Sequence, residues 1–230
     1  MRFRAYLFDV QGTLLDFFEP VTGAVSNYLD NQQITTVDPG DFTRSWREDY
    51  FRRLRSISQS VDDWRRVQEL YAAGFADVCV RYGLDRPTAA DTQLAAASWQ
   101  RLQPWPDVRA GLARLRSQAI IATLSNTDMS TMIALFKRLA IDMDAVFTAE
   151  MVGAFKPHPR TYLRALQYLG VAPHEAAMVA AHPYDVEAAG ALGMGTVFLH
   201  RPFEYGDPGL AHDMSPAQVD QYVGSVADIQ

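Results

Sequence analysis

Four sets of polar side chains lie at the ends of short apolar runs or just beyond them: Asp9, Ser125 with Asn126, Lys156, and Asp185. Together they supply one carboxylate, hydroxyl and amide donors, an ammonium group and a second carboxylate. If the apolar runs are parallel strands, their carboxyl ends share one edge of a sheet, and these groups can converge although they are far apart in sequence. Such a set is suited to nucleophilic catalysis by a carboxylate.

The elements that position these groups follow from the apolar pattern. Tyr6-Leu7-Phe8 ends at Asp9 and is followed by Gly12-Thr13, which predicts a strand that ends in a turn. Further strands are predicted at 119–124, 145–148, 177–181 and 196–199. Helices are predicted between them at 130–139, 160–169 and 185–192. This alternation predicts an α/β fold with a doubly wound parallel sheet.

The region from residue 21 to about residue 99 has a helical pattern instead. Apolar side chains recur at helical spacing in two stripes, which contain Phe42, Trp46, Tyr50 and Leu54, and then Trp64, Val67, Leu70 and Tyr71. We expect a helical cap domain at 16–99 whose aromatic residues mostly pack between helices, and a core domain at 1–15 and 100–230. Pro104 and Pro106 mark the return to the core, with Asp107 as the expected N-cap of the next helix.

Composition excludes several classes of protein. With 48% hydrophobic and 21% charged residues, the chain has the proportions of a globular protein. The net charge is -6 and the arginines form no dense tract, so nucleic acid is not an expected partner. The single cysteine, Cys79, excludes an intramolecular disulfide and fits a reducing compartment. No long apolar segment indicates a signal peptide or a membrane span, and a cytoplasmic protein is expected.

Four motifs resemble those of the haloacid dehalogenase superfamily in the right order. Residues 7–14, Leu-Phe-Asp-Val-Gln-Gly-Thr-Leu, look like its first motif, an aspartate nucleophile followed by x-x-Gly-Thr. Residues 124–126 resemble the second motif, residues 156–159 the third, and Asp185 the acidic fourth. The resemblance covers nearly the whole chain and implies a HAD-like Rossmannoid core with a cap.

The residue two positions after Asp9 separates the branches of that superfamily. In its phosphatases this position is a second aspartate that acts as general acid; here it is Gln11. Glutamine cannot donate a catalytic proton and is a poor substitute in an anionic Mg²⁺ site, so phosphoryl transfer is disfavoured. The L-2-haloacid dehalogenase branch has an uncharged residue there and uses no metal. Trp46-Arg47 and the Lys-Pro-x-Pro-x-x-Tyr segment that ends at Tyr162 also resemble that branch.

The resemblance implies hydrolytic dehalogenation of a short 2-haloalkanoic acid, with no metal or other cofactor. Asp9 would displace the halide and form an aspartyl ester, which water cleaves to a 2-hydroxy acid. The implied catalytic residues are Asp9, Thr13, Lys156, His182 and Asp185, and the implied substrate-binding residues are Gln11, Arg47, Ser125, Asn126 and Tyr162. Lys156 would keep Asp9 ionised, whereas Arg47 and Asn126 would receive the halide. A homodimer is also implied.

Two departures from the branch bear on the substrate and on water activation. Gln11 replaces the usual aromatic residue, and the fourth motif has Ala180 and His182 where Ser and Asn are usual. This Ala-His-x-x-Asp variant resembles a subgroup that acts on haloacetates, including fluoroacetate. Asp185, with His182, is the candidate for positioning the hydrolytic water. The other histidines are expected at the surface or in loops: His158, His174, His200 and His212.

Three other hypotheses remain open from the sequence. The same ester chemistry could open a strained ring, as in hydrolases of azetidine-2-carboxylate. A magnesium-dependent phosphatase would have to tolerate Gln11. A non-catalytic scaffold would have no need for Asp9, Lys156 and Asp185 at one place.

Overall fold

A computed structural model describes residues 2–57 and 65–230 of the chain. The strands are β1 (Ala5–Phe8), β2 (Leu15–Asp16), β3 (Gln103–Pro104), β4 (Ile120–Ser125), β5 (Ala145–Thr148), β6 (Ala176–Ala180), β7 (Gly195–Leu199) and β8 (Gln221–Val223). The α-helices are α1 (Phe18–Asn31), α2 (Pro39–Ile57), α3 (Val67–Arg81), α4 (Ala89–Ala97), α5 (Val108–Arg116), α6 (Met129–Leu139), α7 (Pro159–Leu169) and α8 (Pro183–Ala191). No helix in the described residues is long and apolar enough to cross a membrane.

Six strands form one parallel sheet in the order β5-β4-β1-β6-β7-β8. Strand β1 lies at its centre and is buried on both faces. Tyr6 and Phe8 belong to one hydrophobic cluster and Leu7 to the other, because successive side chains of a strand point to opposite faces. Helices that follow parallel strands cover both faces, which is why these strands are almost continuously apolar. The predicted α/β fold is confirmed.

Helices α1 to α4 pack on one another in chain order, and α4 also contacts α1. Their apolar residues extend the cluster that covers one face of the sheet: Trp46 and Phe75 belong to it together with Phe8. The short antiparallel pair β2 and β3 joins the two places where the chain passes between the helical region and the sheet. The predicted boundaries at 16–99 stay a prediction, and Trp64 lies outside the described residues.

The strand and helix predictions were accurate to within two residues, with one exception in the core. Strand β8 was missed. Asp107 is the N-cap residue of α5, as predicted, but its side chain makes no capping hydrogen bond: its carboxylate accepts from Arg201 Nη1 and Nη2, at 2.8 and 3.1 Å, and from Val226 N at 2.7 Å. A bidentate arginine offers this carboxylate a stronger partner than the helix terminus does. Arg201 also donates from Nε to the backbone oxygen of Thr13 (2.8 Å).

Candidate active site

Asp9 lies immediately after β1, at the carboxyl edge of the sheet, and its side chain is almost fully buried. Thr13 Oγ1 donates a hydrogen bond to Asp9 Oδ2 (2.8 Å) and itself accepts one from the backbone amide of Ala181 (2.9 Å). The turn between Asp9 and Thr13 passes through Gly12 at φ +87°, a conformation that favours glycine. One carboxylate oxygen of Asp9 is therefore held by Thr13, and Thr13 is held in turn by the backbone amide that follows the neighbouring strand β6.

Lys156 bridges the two carboxylates predicted for the site. Its ammonium group lies 2.9 Å from Asp9 Oδ1 and also forms an ion pair with Asp185 Oδ2, and Tyr162 donates to Asp185 Oδ1 (2.5 Å). All four side chains are buried. Burial works against the ionised form of Asp9, but Lys156 and His182 hold the pKa of its carboxyl well below the usual range. Burial, together with the Asp9 charge, raises the pKa of Asp185 despite Lys156.

The backbone of Lys156 is itself held by Asn126. Lys156 N donates to Asn126 Oδ1 (2.8 Å), and Asn126 Nδ2 donates to Lys156 O (3.2 Å). Ser125 Oγ, at the end of β4, donates to Thr127 Oγ1 (3.0 Å). In this structure Asn126 therefore positions the lysine, and Ser125 shapes the adjoining turn. The roles predicted for them in binding halide and carboxylate stay predictions.

His182 connects Asp9 to a carboxylate that sequence reasoning missed. Its Nδ1 lies 3.1 Å from Asp9 Oδ2, and its Nε2 lies 2.8 Å from Glu204 Oε1, in the segment after β7. All three residues are buried. Burial disfavours the imidazolium, but the two carboxylates raise the pKa of His182 to about 9. At neutral pH His182 is therefore a cation that donates to both carboxylates.

Arg47, on α2, reaches the site from the helical region and contacts Gln11. Arg47 Nη1 donates to Gln11 Oε1 (3.0 Å) and lies 2.9 Å from the hydroxyl of Tyr71, which in turn donates to Gln11 Oε1 (2.7 Å). Arg47 is 2% exposed and Gln11 is 5% exposed. The guanidinium lies over four aromatic rings, at 4.6 to 5.4 Å from their centroids: Phe17, Tyr50, Phe51 and Trp99.

A buried cation usually needs a counter-ion, and the described part of the chain supplies none to Arg47. Within residues 2–57 and 65–230, no carboxylate forms an ion pair with Arg47, and neither Arg47 Nε nor Gln11 Nε2 has a hydrogen-bond partner. Aromatic faces stabilise a desolvated guanidinium in part, by about 0.5 to 2 kcal/mol each. Two unfilled donors beside a buried positive charge are the features of a binding site for an anion.

One group of side chains has metal-ligand spacing. Ligand atoms of His182, Glu204 and His212 lie within 4.8 Å of one another. His212 is a loop residue, as expected, but the loop after β7 brings it next to His182 and Glu204. His182 Nε2 and Glu204 Oε1 are 2.8 Å apart, however, which is shorter than the ~3.3 Å between two ligands of a tetrahedral zinc at about 2.0 Å from each. A hydrogen-bonded ion pair accounts for this distance.

The structure places eight of the predicted site residues in two groups. Asp9, Thr13, Lys156, Tyr162, His182 and Asp185 form one hydrogen-bonded group, and Gln11 and Arg47 form the other. The ring of Phe51 contacts both Arg47 and His182. Asn126 joins the first group through the backbone of Lys156. Ser125 precedes Asn126 in the chain and bonds to Thr127. Two residues of the site were missed, Tyr71 and Glu204. Tyr71 was interpreted as a packing residue of a helix stripe. Glu204 follows strand β7, and position after the carboxyl end of a parallel strand is the signal that could have found it.

The family of haloacid dehalogenase-like hydrolases matches this chain over residues 3–193. The chain belongs to this family. Among its relatives is (S)-2-haloacid dehalogenase 4A of Burkholderia cepacia, 30% identical over 92% of this chain and 90% of the relative. Haloacetate dehalogenase H-2 of Moraxella sp. strain B is 24% identical over 98% of this chain and 99% of the relative.

Solved structures place the chain in the L-2-haloacid dehalogenase branch. The defluorinating L-2-haloacid dehalogenase Rha0230 has a TM-score of 0.88 and 31% identity, with 98% of this chain and 93% of that chain covered. Phosphatases are also among the matching relatives. Relatives with different reactions thus share this fold, so the reaction class has to be argued from the residues of the site.

Proposed function

We propose that this protein hydrolyses a short 2-haloalkanoic acid of the haloacetate type through an ester on Asp9, and releases halide and the 2-hydroxy acid. The observation that carries the proposal is Arg47: a buried cation without an ion-pair partner in the described residues, at the Gln11 side of a buried carboxylate whose pKa is strongly lowered. A substrate with one carboxylate and one halogen supplies the anions that this arrangement accepts.

The first step needs an ionised carboxylate and a receptor for the halide. Lys156 and His182 keep Asp9 ionised at the pH of the cell. One Asp9 oxygen forms a bond to C2 of the substrate while the carbon-halogen electron pair leaves with the halide. Arg47 Nε and Gln11 Nε2 are unfilled donors that can hold the departing halide or the substrate carboxylate.

The second step is attack of water on the carboxyl carbon of the alkylated Asp9. Both oxygens of Asp185 are engaged, one by Lys156 and one by Tyr162. His182 Nδ1, in contrast, directly faces the Asp9 carboxyl group. We assign the positioning of water to His182, and Asp185 acts through the ammonium group of Lys156.

The cavity next to Lys156 is small, which favours a small acid as the substrate. A cavity of about 190 Å³ reaches Lys156 and is lined by Phe51, Leu54, Arg55, Lys156, Pro157 and Tyr184. Sites for drug-sized ligands commonly have volumes of ~300 to 1,000 Å³. The relatives named as a haloacetate dehalogenase and as a defluorinating enzyme support the same substrate class.

Magnesium-dependent phosphatase chemistry fits the site less well. Gln11 lies where the phosphatases have their general acid, and its amide has no acidic proton to give; its Oε1 already accepts hydrogen bonds from Arg47 and Tyr71. A guanidinium 3.0 Å from that oxygen repels a divalent cation. The buried charge of Arg47 therefore disfavours a divalent cation beside Gln11.

The test is halide release from chloro-, bromo- and fluoroacetate and from both enantiomers of 2-chloropropionate, in EDTA, by the wild type and by Asp9→Asn. The wild type is expected to release halide, whereas Asp9→Asn releases none and acquires no covalent mass adduct. If the wild type releases halide from none of these acids, the proposal is wrong. Azetidine-2-carboxylate and phosphate esters with Mg²⁺ are then the next substrates.

A further inference from the structure

Glu204 is a buried carboxylate that the proposed reaction has not yet used. It is 1% exposed, its Oε1 lies 2.8 Å from His182 Nε2, and in the described part of the chain its Oε2 has no hydrogen-bond partner. It packs tightly against the turn after the nucleophile, because a Cβ added to Gly12 would lie 2.2 Å from Glu204 Oε1. The carboxylate is thus fixed on the side of His182 that faces away from Asp9.

We infer that Glu204 is a positioning residue for hydrolysis of the ester: it holds the Nε2 proton of His182, so that Nδ1 faces Asp9 as the base that accepts a proton from the attacking water. The inference rests on the proposed function. It also explains how a histidine operates at a position where relatives of the branch usually have asparagine.

Alkylation of Asp9 changes the proton balance of His182. Before the reaction the imidazolium donates from Nδ1 to Asp9 and from Nε2 to Glu204. When Asp9 becomes a neutral ester, the Nδ1 proton loses its anionic acceptor and leaves to solvent, whereas Glu204 retains the Nε2 proton. This step releases the one proton that hydrolysis of a carbon-halogen bond must produce.

Hydrolysis then follows with His182 as a neutral base. The water oxygen forms a bond to Asp9 Cγ as one water proton moves to Nδ1. The ester C–O bond breaks, and its electron pair leaves on the oxygen of the 2-hydroxy acid, which takes the proton from Nδ1. The carboxyl proton that remains on Asp9 returns to His182, and both groups regain their resting charges.

Two carboxylates, Asp9 and Glu204, determine the charge state of His182. Asp9 faces it from the end of β1, Glu204 and His212 from the segment after β7, and Tyr184 from α8, while α2 contributes the uncharged ring of Phe51. Burial and the charge of His182 lower the pKa of His212, and burial raises the pKa of Tyr184, so both are neutral at neutral pH. Once Asp9 is an ester, Glu204 is the carboxylate that still contacts His182.

The experiment compares wild type, Glu204→Gln, His182→Asn and the double variant in rapid-quench assays with bromoacetate. For Glu204→Gln we expect a halide burst close to that of the wild type, accumulation of the ester by intact mass, and a turnover about 10- to 100-fold lower. The acid limb of turnover should move to lower pH, since His182 loses an anionic neighbour. In the His182→Asn background, Glu204→Gln should change turnover little.

Phe203→Ala is the matched control, because Phe203 is the exposed neighbour of Glu204 in the same segment. A Glu204→Gln enzyme with wild-type turnover, ester level and pH profile would overturn the inference, as would equal effects of Glu204→Gln with and without His182. If a thermal melt shows that Glu204→Gln folds poorly, the pH profile and ester level of His182→Asn are used instead. A His182→Asn enzyme that accumulates no ester would overturn the inference. Absence of halide from the wild type would instead overturn the proposed function, and the inference with it.

Discussion

Replacement of Lys156 by methionine tests the charge arrangement on which the active site depends. The ammonium group lies 2.9 Å from Asp9 Oδ1 and pairs with Asp185 Oδ2, and Lys156 is 1% exposed. Methionine has a similar length but no charge, so Lys156→Met leaves two buried carboxylates without their shared cation. Breaking a buried ion pair in this way costs about 3 to 5 kcal/mol. We expect the free energy of unfolding at pH 8 to fall by about that amount.

The loss of stability should depend on pH with a defined sign. In the wild type the pKa of Asp9 is lowered, so its ionised form adds stability above the unfolded pKa of ~3.9, and this stability is lost as pH falls below that value. In Lys156→Met, Asp185 loses its cationic neighbour, and burial raises its folded pKa further above the unfolded value, whereas His182 still faces Asp9. The resulting destabilisation is present at high pH and decreases as pH falls. The deficit should therefore be smaller at pH 5 than at pH 8.

Urea unfolding followed by circular dichroism at pH 5 and pH 8 measures both quantities. The matched control is Lys137→Met, which removes the other lysine of the chain, an exposed residue on α6. Halide release by Lys156→Met should fall by about 10²- to 10³-fold, the usual effect of removing one preorganised electrostatic group. A deficit equal at both pH values, or near-normal turnover in Lys156→Met, would refute this account of Asp9.

Three further predictions follow from the same contacts. Arg47→Lys retains the charge but loses the Nε donor, and one hydrogen bond to a charged group contributes about 1.5 to 3 kcal/mol. Its kcat/KM for haloacetate should therefore fall about 10- to 100-fold; a normal value would exclude substrate binding by this arginine. His182 should titrate at about 9 in ¹⁵N NMR spectra. Because this folded pKa lies above the unfolded ~6.5, its stability contribution is complete below pH ~6.5 and is lost as pH rises through about 9; His182→Gln should show a flatter stability profile over that range. EDTA should leave halide release unchanged and Mg²⁺ should not stimulate it, because the proposed reaction uses no metal and the buried charge of Arg47 lies beside Gln11. Stimulation by Mg²⁺ would favour the phosphatase hypothesis.

The sheet was predictable because its strands are buried on both faces and therefore form uninterrupted apolar runs. Strand β5 was predicted with its observed bounds, and the predicted end of β1 placed Asp9 at the carboxyl edge of the sheet, where it lies. Strand β8 was missed because it is only three residues long and partly exposed. The side chain of Asp107 makes no capping hydrogen bond to α5 because its best partner, Arg201, is distant in sequence. Cytoplasmic location and a homodimer stay predictions.

The residues that contact Asp9 and Lys156 were predicted from motifs, whereas those that complete the site from outside the motifs were not. Tyr71 lies on α3 among buried aromatic residues, and nothing in its spacing distinguishes it from Phe75, which only packs. Its hydroxyl becomes functional because Gln11 is opposite to it across the interface of helix and sheet. Glu204 likewise depends on where the segment after β7 crosses the site. Such contacts arise from tertiary packing, which local sequence patterns do not encode.

The contacts of Gln11 also suggest why position 11 and Arg47 must be considered together. An aspartate at position 11, although one methylene group shorter than glutamine, would bring a carboxylate towards the Arg47 guanidinium, which now lies 3.0 Å from Gln11 Oε1, and a buried ion pair would replace the neutral contact. That ion pair would satisfy Arg47 from within the protein and remove its need for an anion from the substrate. A neutral amide orients Arg47 through its oxygen without neutralising it, and it leaves Gln11 Nε2 free as a second donor. Under the proposed function, the uncharged residue thus keeps Arg47 without an ion pair in the described part of the chain, so that its charge is available to an anionic substrate.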